Sequence, residues 1–243
     1  MRKKMKITYA GRMRRVSIYT PPLPCDPQRV RGAKQRVSRE AQKIQNRRHS
    51  VELCEDRLAE NFEAGDLWIC LTYREGDLPA SRSAAETRLK KWMADVRAYC
   101  RARHLPAPRM MWCTEEKHGD GRLHHHVAIT AWPNCYKVLR SLWRWGDDFD
   151  VKKIRVDAEK NYQSLARYMC KEEPKGGKHQ WHFSRNCGAP ETVTRWVDGR
   201  EMIRPPKGSL IFASGTLHET QFGASAQYAV YLLPLTRARR GRK

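Results

Sequence analysis

Three consecutive histidines, His124-His125-His126, have the residue type and spacing best suited to metal chemistry in this sequence. They lie in a segment with strand propensity. Side chains alternate between the two faces of a strand, so His124 and His126 share one face while His125 points to the other. Two imidazoles at that spacing can hold one divalent cation if a neighbouring strand supplies a third ligand. The alternatives are histidines that only satisfy hydrogen bonds in a core, or a structural zinc site.

The third ligand is expected just before the histidines. Glu116 precedes Gly119-Asp120-Gly121, which is a turn signal. A hairpin folded at this turn would bring the Glu116 carboxylate beside His124 and His126. Glu115 is the alternative ligand, because a shift of one residue in the strand register exchanges the two faces. Two nitrogens and one oxygen would leave positions open for water and a substrate phosphate, as a catalytic metal site requires.

A tyrosine in a predicted helix is the candidate nucleophile. The helix is expected over residues 159–173, and Tyr168 and Lys171 are neighbours on its surface because they lie three residues apart. A tyrosine hydroxyl has a pKa of about 10, so a nucleophilic Tyr168 needs a base, a metal ion or a nearby positive charge such as Lys171. The alternative is a tyrosine at the edge of an amphipathic helix. Tyr162 lies on another side of the helix and is expected in the core.

The segments around these residues alternate between strand and helix patterns. Strands are predicted over residues 66–73, 110–116, 124–131 and 149–156. One helix is expected to begin at the capping-box pattern of Ser83 and Glu86, and a second to span residues 135–145 with Gly146 as its C-cap. The order β-α-β-β-α-β-α predicts an α+β fold, a mainly antiparallel sheet with helices packed on one face. The weaker patterns at residues 181–185, 209–213 and 227–233 could be further strands.

The charge of the chain indicates the class of its partner. Its 243 residues include 48 Lys and Arg against 26 Asp and Glu, a net charge of +22, which favours a polyanion such as nucleic acid. No apolar run approaches the ~20 residues of a membrane span, and no C-x-x-C pair is present. We expect no membrane partner, no secretory signal and a cytoplasmic location.

Three regions are predicted along the chain. Residues 1–61 are expected to form a basic, partly helical N-terminal arm. Residues 62–190 hold the motifs described above and are expected to form one domain. Residues 191–243 are expected to form a C-terminal extension that ends in a basic tail.

These motifs together resemble the rolling-circle replication initiators of the HUH endonuclease superfamily, of the bacterial plasmid and phage type. Leu71-Thr72-Tyr73 is similar to the family's first motif, the histidine triplet to its His-hydrophobe-His motif, and Tyr168-Met169-Cys170-Lys171 to its Tyr-x-x-Lys motif. The segment 181–185 is similar to the one that follows the tyrosine motif. The departure is His125, which stands where the family usually has a bulky hydrophobe.

The resemblance implies metal-dependent, site-specific nicking and joining of single-stranded DNA through a 5′-phosphotyrosine intermediate. Tyr168 would be the nucleophile, Lys171 would assist it, and Mg²⁺ or Mn²⁺ would be the cofactor, held by His124, His126 and Glu116. The partner would be single-stranded DNA at a replication origin. The chain has no phosphate-binding loop of a helicase, so a host helicase and polymerase would act in trans. The side chains expected to contact DNA are Arg122, Arg167, Lys175, Trp181 and Arg185.

Two other interpretations fit the same residues. A plasmid relaxase or a single-tyrosine transposase of the same superfamily would use the same chemistry for another purpose. A basic nucleic-acid-binding regulator would use the histidines for a structural metal, and it would bind DNA or RNA without cleaving it.

Overall fold

The computed structural model describes residues 2–21, 39–116, 122–146, 149–157, 161–171, 180–217 and 225–235. Its contacts divide the chain into two compact units. The first unit comprises Met1–Glu60, Asp157–Asn161 and Ala189–Lys243, and the second comprises Asn61–Val156 and Tyr162–Gly188. The predicted turn at residues 119–121, Lys175 and the basic tail lie outside the described residues.

Ten strands and four α-helices make up the described part of the chain. The strands are β1 (Lys3–Ala10), β2 (Met13–Tyr19), β3 (Leu67–Leu71), β4 (Met110–Glu116), β5 (Leu123–Ile129), β6 (Phe149–Lys153), β7 (His182–Phe183), β8 (Glu191–Val197), β9 (Leu210–Leu217) and β10 (Ala226–Leu232). The helices are α1 (Arg39–Asn61), α2 (Arg82–Ala102), α3 (Cys135–Leu142) and α4 (Tyr162–Met169). None of the described helices has the length and apolar character needed to cross a membrane.

The predicted α+β architecture is confirmed. The second unit contains a five-stranded sheet in the order β6-β3-β5-β4-β7, and all its strand pairs are antiparallel. Along the chain its elements follow the predicted order, from β3 through α2, β4, β5, α3 and β6 to α4. The antiparallel pairing follows from the short β4–β5 connection, which only a hairpin can close.

The core of the second unit lies between one face of this sheet and the helices α2 and α3. Leu67, Ile69 and Leu71 alternate along β3 and are buried against this core. From α2, Trp92 is fully buried, and its indole Nε1 donates to the Leu139 carbonyl of α3 at 3.1 Å. Because Trp92 fills the core and also satisfies a carbonyl, it holds the two helices together.

The helices lie on both faces of the sheet, which corrects the prediction of a single helical face. The aromatic ring of Tyr168, in α4, contacts Trp68 and His126. These two side chains alternate with the core residues of β3 and β5, so they point to the opposite face. One sheet face therefore carries the main core, and the other carries α4.

Two predicted helix boundaries were wrong. The N-cap of α2 is Ser81, whose hydroxyl accepts a backbone N–H of the first turn at 3.2 Å, so the helix begins before the predicted cap at Ser83. Helix α3 ends at Leu142, before Gly146. Gly146 instead packs so closely on the backbone that an added Cβ would collide with the Thr72 carbonyl.

The first unit contains a second five-stranded antiparallel sheet, in the order β8-β1-β2-β10-β9. Its central strands β1 and β2 form a hairpin, which the sequence analysis described only as part of a basic arm. The apolar residues of this hairpin, such as Met5, Val16 and Ile18, alternate with basic ones, and the high charge concealed this period. The division of the chain into an arm, a domain and an extension stays a prediction.

Helix α1 is fixed to this sheet by buried ion pairs. The Arg15 guanidinium lies 2.7 Å from Glu55 Oε2 and 2.9 Å from Asp56 Oδ1. Both carboxylates are largely buried, and burial raises the pKa of Glu55 although Arg15 opposes that shift. Removing Arg15 would leave two buried carboxylates without their cation, so this contact sets where α1 lies on the sheet.

We predict that Gly146→Ala destabilises the protein by about 1–3 kcal/mol, because its methyl group would have to displace the Thr72 backbone. Gly76→Ala is the matched control, since an added Cβ there meets nothing within 4 Å. Urea unfolding followed by tryptophan fluorescence measures both variants. Equal stability of the two variants would show that the close approach of Gly146 to Thr72 has no energetic importance.

Candidate metal and tyrosine site

The register of the β4–β5 hairpin brings three metal-ligating side chains together. Glu115 lies directly opposite His124, and His126 lies two residues further along the same face. Glu115 Oε2 is 3.5 Å from His124 Nε2 and 3.9 Å from His126 Nε2. One ligand atom from each residue lies within 4.8 Å of the other two, so the three could hold one cation.

Glu115, rather than Glu116, is the acidic residue beside the imidazoles. Glu116 pairs across the hairpin with Leu123, whose side chain lies in the core on the opposite face of the sheet. The geometry therefore corrects the predicted position of Glu116 and agrees with the alternative, a register shifted by one residue. The turn that determines this register, residues 117–121, lies outside the described residues.

His126 has the environment of a metal ligand. Its side chain is buried, and neither ring nitrogen has a hydrogen-bond partner among the described residues. The Trp68 ring is stacked on the imidazole at 5.5 Å. Burial lowers the pKa of His126 to about 4, so the ring is neutral at pH 7 and has a lone pair available. A coordinated cation would satisfy a nitrogen that is costly to bury without a partner.

The ring of His124 is oriented so that its outer nitrogen faces the carboxylate. His124 Nδ1 lies 3.4 Å from the Arg122 carbonyl oxygen, to which it can donate. This bond would leave Nε2, the atom nearest Glu115, as the unprotonated nitrogen. The donor set of two imidazoles and one carboxylate therefore suits a divalent cation such as Mn²⁺ or Mg²⁺.

His125 accounts for the departure from the usual hydrophobe in the histidine motif. It is fully buried on the core face, where Nε2 lies 2.7 Å from the Tyr73 hydroxyl and Nδ1 lies 2.9 Å from Thr114 Oγ1. Burial lowers the pKa of His125 to about 3, so the ring is neutral and can use one nitrogen as donor and the other as acceptor. A histidine fits this core position because both of its nitrogens have partners.

Tyr168 lies on the same face of the sheet as the metal-ligating group. Its ring meets the His126 ring edge-on, with centroids 4.6 Å apart, and the side chain is 40% exposed. The Lys171 ammonium lies 5.8 Å from the centre of the tyrosine ring. Partial burial and then the charge of Glu115 raise the pKa of the Tyr168 hydroxyl, so the tyrosinate needs compensating positive charge.

The position of Tyr168 follows from the buried side of α4. Tyr162, Ala166 and Met169 recur at helical spacing and are buried, as expected for Tyr162. The Tyr162 hydroxyl also donates to the Phe62 carbonyl at 2.7 Å, which anchors the start of the helix. With that side of α4 fixed, Tyr168 lies at the edge of the buried side and reaches both the ligand face and solvent.

The predicted DNA-contacting residues have varied surroundings. Arg122 forms an exposed ion pair with Glu75 at 2.9 Å, and it lines a cavity of about 370 Å³ together with Cys70 and His124. The other described members of the predicted set are the exposed Arg167 and Arg185 and the half-buried Trp181. Their role in binding DNA stays a prediction.

The sequence analysis missed two side chains at this site. Cys70 and Cys113 both pair with His126 across the sheet, one from β3 and one from β4. They therefore share the ligand face and flank the imidazole on both sides. The sequence signal was their parity in the two strands, but their apolar neighbours suggested small core residues instead.

The chain is similar to a family of replication proteins over the segment that carries this site. Residues 66–173 match the model of a family described as replication-associated protein, of the ORF2 type. The matched residues run from β3 to α4 and include the acidic, histidine and tyrosine positions. No curated protein and no solved structure gives a significant match. The family match supports a role in replication.

We predict that Glu115→Gln weakens Mn²⁺ binding at least tenfold, because the amide removes the anionic ligand between the two histidines. Glu116→Gln is the matched control, since it changes the neighbouring carboxylate on the other face and is expected to leave the affinity unchanged. Isothermal titration calorimetry with MnCl₂ measures both variants. A loss of affinity in Glu116→Gln alone would contradict the assignment of Glu115.

Proposed function

We propose that this protein is a rolling-circle replication initiator that nicks and rejoins single-stranded DNA at an origin by HUH-type chemistry in the cytoplasm. The observation that supports this function most strongly is the convergence of three metal-ligating side chains and a part-exposed tyrosine on one sheet face. The match to a replication-associated family favours the same function. A helicase and a polymerase of the host would continue synthesis after the nick.

Glu115, His124 and His126 would hold Mg²⁺ or Mn²⁺. A divalent cation bound there would polarise the scissile phosphate and offset the charge of the in-line transition state. His126 is held for this role by stacking on Trp68, and His124 by the Arg122 carbonyl. Because these ligands lie on rigid strands, they need little reorganisation when substrate binds.

In this mechanism, Tyr168 performs the covalent step. Its hydroxyl oxygen attacks the phosphorus and forms a phosphotyrosyl ester, while the bond from phosphorus to the 3′ oxygen of the preceding nucleotide breaks. The phenolic proton passes to solvent, and the departing 3′ oxygen takes up a proton to become the 3′-OH that primes synthesis. The number of phosphoester bonds is unchanged, so rejoining by the reverse attack needs no added energy source.

Lys171 would assist Tyr168 through its positive charge. The ammonium lies near the tyrosine ring, one helical turn further along the chain. In that position it favours the tyrosinate and can also contact a phosphate oxygen. This role counteracts the pKa-raising effects of burial and of Glu115 on the Tyr168 hydroxyl.

The other interpretations are less well supported. A relaxase or a single-tyrosine transposase would use the same residues, but the family match concerns replication-associated proteins. A regulator with a structural metal would not require a partly exposed tyrosine beside His126. It would also have little use for a ligand set of three that leaves positions open for substrate.

We predict that Tyr168→Phe abolishes the covalent DNA adduct, a loss on the order of 10³-fold or more, while DNA affinity is kept. The probe is a labelled pool of single-stranded oligonucleotides of random sequence, incubated with the protein and MnCl₂ and separated on a denaturing gel. Tyr136→Phe is the matched control, because Tyr136 belongs to the same unit and has a similar exposure of 44%.

Two results of this experiment would count against the proposal. An adduct that persists in Tyr168→Phe would assign the nucleophile to another residue. An intact protein that binds the pool but forms no adduct in either Mn²⁺ or Mg²⁺ would favour the regulator instead. Mass-spectrometric mapping of the adduct identifies the modified residue directly.

A further inference from the structure

The sheet of the first unit presents an exposed patch of aromatic and basic side chains that the proposed nicking reaction does not use. We call it the lysine–aromatic face, and its residues are Lys4, Lys6, Ser17, Thr194, Trp196 and Tyr228. Cross-strand pairing places them on one side of the sheet: Lys4 lies opposite Trp196, Lys6 lies between Thr194 and Ser17, and Ser17 lies opposite Tyr228. The patch therefore extends over four adjacent strands, β8, β1, β2 and β10.

Only one end of this side of the sheet is buried. Ala10 and Met13 have no exposed surface, and Arg15 next to them binds the carboxylates of α1. Towards the other end, Trp196 is 56% exposed and Tyr228 is 50% exposed. Large aromatic side chains in the middle of strands at such exposure are unusual on a merely solvated surface, since burial would stabilise the protein.

The two aromatic rings are held in place on the sheet. The Lys4 ammonium lies 5.0 Å from the centre of the Trp196 ring, a cation–π contact. The Tyr228 ring covers the backbone of Gly215 in β9, where an added Cβ would come within 2.6 Å of the ring. Each ring thus has a fixed side against the protein and a side that faces solvent.

The spacing and charge of the face suit an extended, unstacked polyanion. Trp196 and Tyr228 are separated by three strand spacings and two residues, or roughly 16 Å, which leaves room for several nucleotides between them. Lys4 and Lys6 lie between the two rings. No residue is acidic among the described strand positions that point to this side of the sheet.

We propose that the lysine–aromatic face is a second DNA-binding site, which holds single-stranded DNA without sequence preference. Bases would stack on Trp196 and Tyr228, and Lys4 and Lys6 would pair with phosphates. A duplex fits this face poorly, because its bases are already stacked on one another and expose only their edges. The choice of DNA over RNA rests on the proposed replication function, whereas the stacking argument does not.

The test measures binding apart from cleavage. Fluorescence anisotropy of a labelled oligothymidine of about 12 nucleotides, in EDTA, reports the Kd of the full chain. Trp196→Ala and Tyr228→Ala are each expected to raise Kd about tenfold. Val193→Ala is the matched control, because Val193 lies in the same strand, is 39% exposed and points to the other side of the sheet. Unchanged thermal melting of the variants excludes misfolding.

The salt dependence tests the role of the lysines. Replacing Lys4 and Lys6 together by glutamine is expected to reduce the slope of log Kd against log salt by about 1.4, since two phosphate contacts are lost. An unchanged slope would show that these lysines do not contact phosphate and would overturn their part of the proposal.

Other outcomes would overturn the face as a DNA site. These are equal affinity of Trp196→Ala, Tyr228→Ala and Val193→Ala, tighter binding of oligouridine or duplex than of oligothymidine, or a double variant that only dissociates a dimer. The proposed nicking function fails separately, if Mn²⁺ and the random pool give no Tyr168 adduct. Conversely, Trp196→Ala should still form the adduct at saturating DNA, because the ligand group and Tyr168 are unaltered.

Discussion

The pairing of β4 with β5 is the constraint on which the candidate site depends. Because Glu115 lies opposite His124, the hairpin places an anion and two imidazoles on one face without any help from a loop. A shift of one residue would move the carboxylate to the core face and leave the histidines without it. The site is therefore as rigid as the sheet itself, which is what a cation with exacting ligand geometry requires.

His125 helps to fix this register. Its two nitrogens are satisfied on the core face by Tyr73 and Thr114, and turning the strand over would bury an unsatisfied imidazole elsewhere. Tyr73 also donates to the Ala85 carbonyl at 3.3 Å, so the same network reaches helix α2. A polar core residue here specifies which face of β5 presents its ligands, a task that a plain hydrophobe performs less selectively.

Much of the second unit could be predicted from the sequence because its apolar patterns are strong. The strands β3, β4 and β5 and the helix α2 follow clear periodicities, and the face shared by His124 and His126 follows from strand alternation alone. The choice between Glu115 and Glu116 could not be made, because it depends on how many residues the turn takes up. That number is a property of turn geometry, which the residues 117–121 do not determine by type alone.

The first unit escaped prediction for a different reason. Its hairpin β1–β2 carries alternating basic residues, and the strands that complete its sheet lie almost two hundred residues away. Propensity rules act over short windows, so they cannot reveal that a charged hairpin will be stabilised by distant partners. The buried contact of Arg15 with Glu55 and Asp56 likewise joins segments about forty residues apart.

The order of strands in the first sheet has a consequence for biosynthesis. The second unit is almost contiguous, so it can fold while the ribosome is still translating the C-terminal region. The first sheet has high contact order, because β1 and β2 must wait for β8 and β10 to arrive on either side. Until then the nascent hairpin has two unpaired edges, and its many lysines and arginines act as gatekeepers that discourage edge-to-edge aggregation.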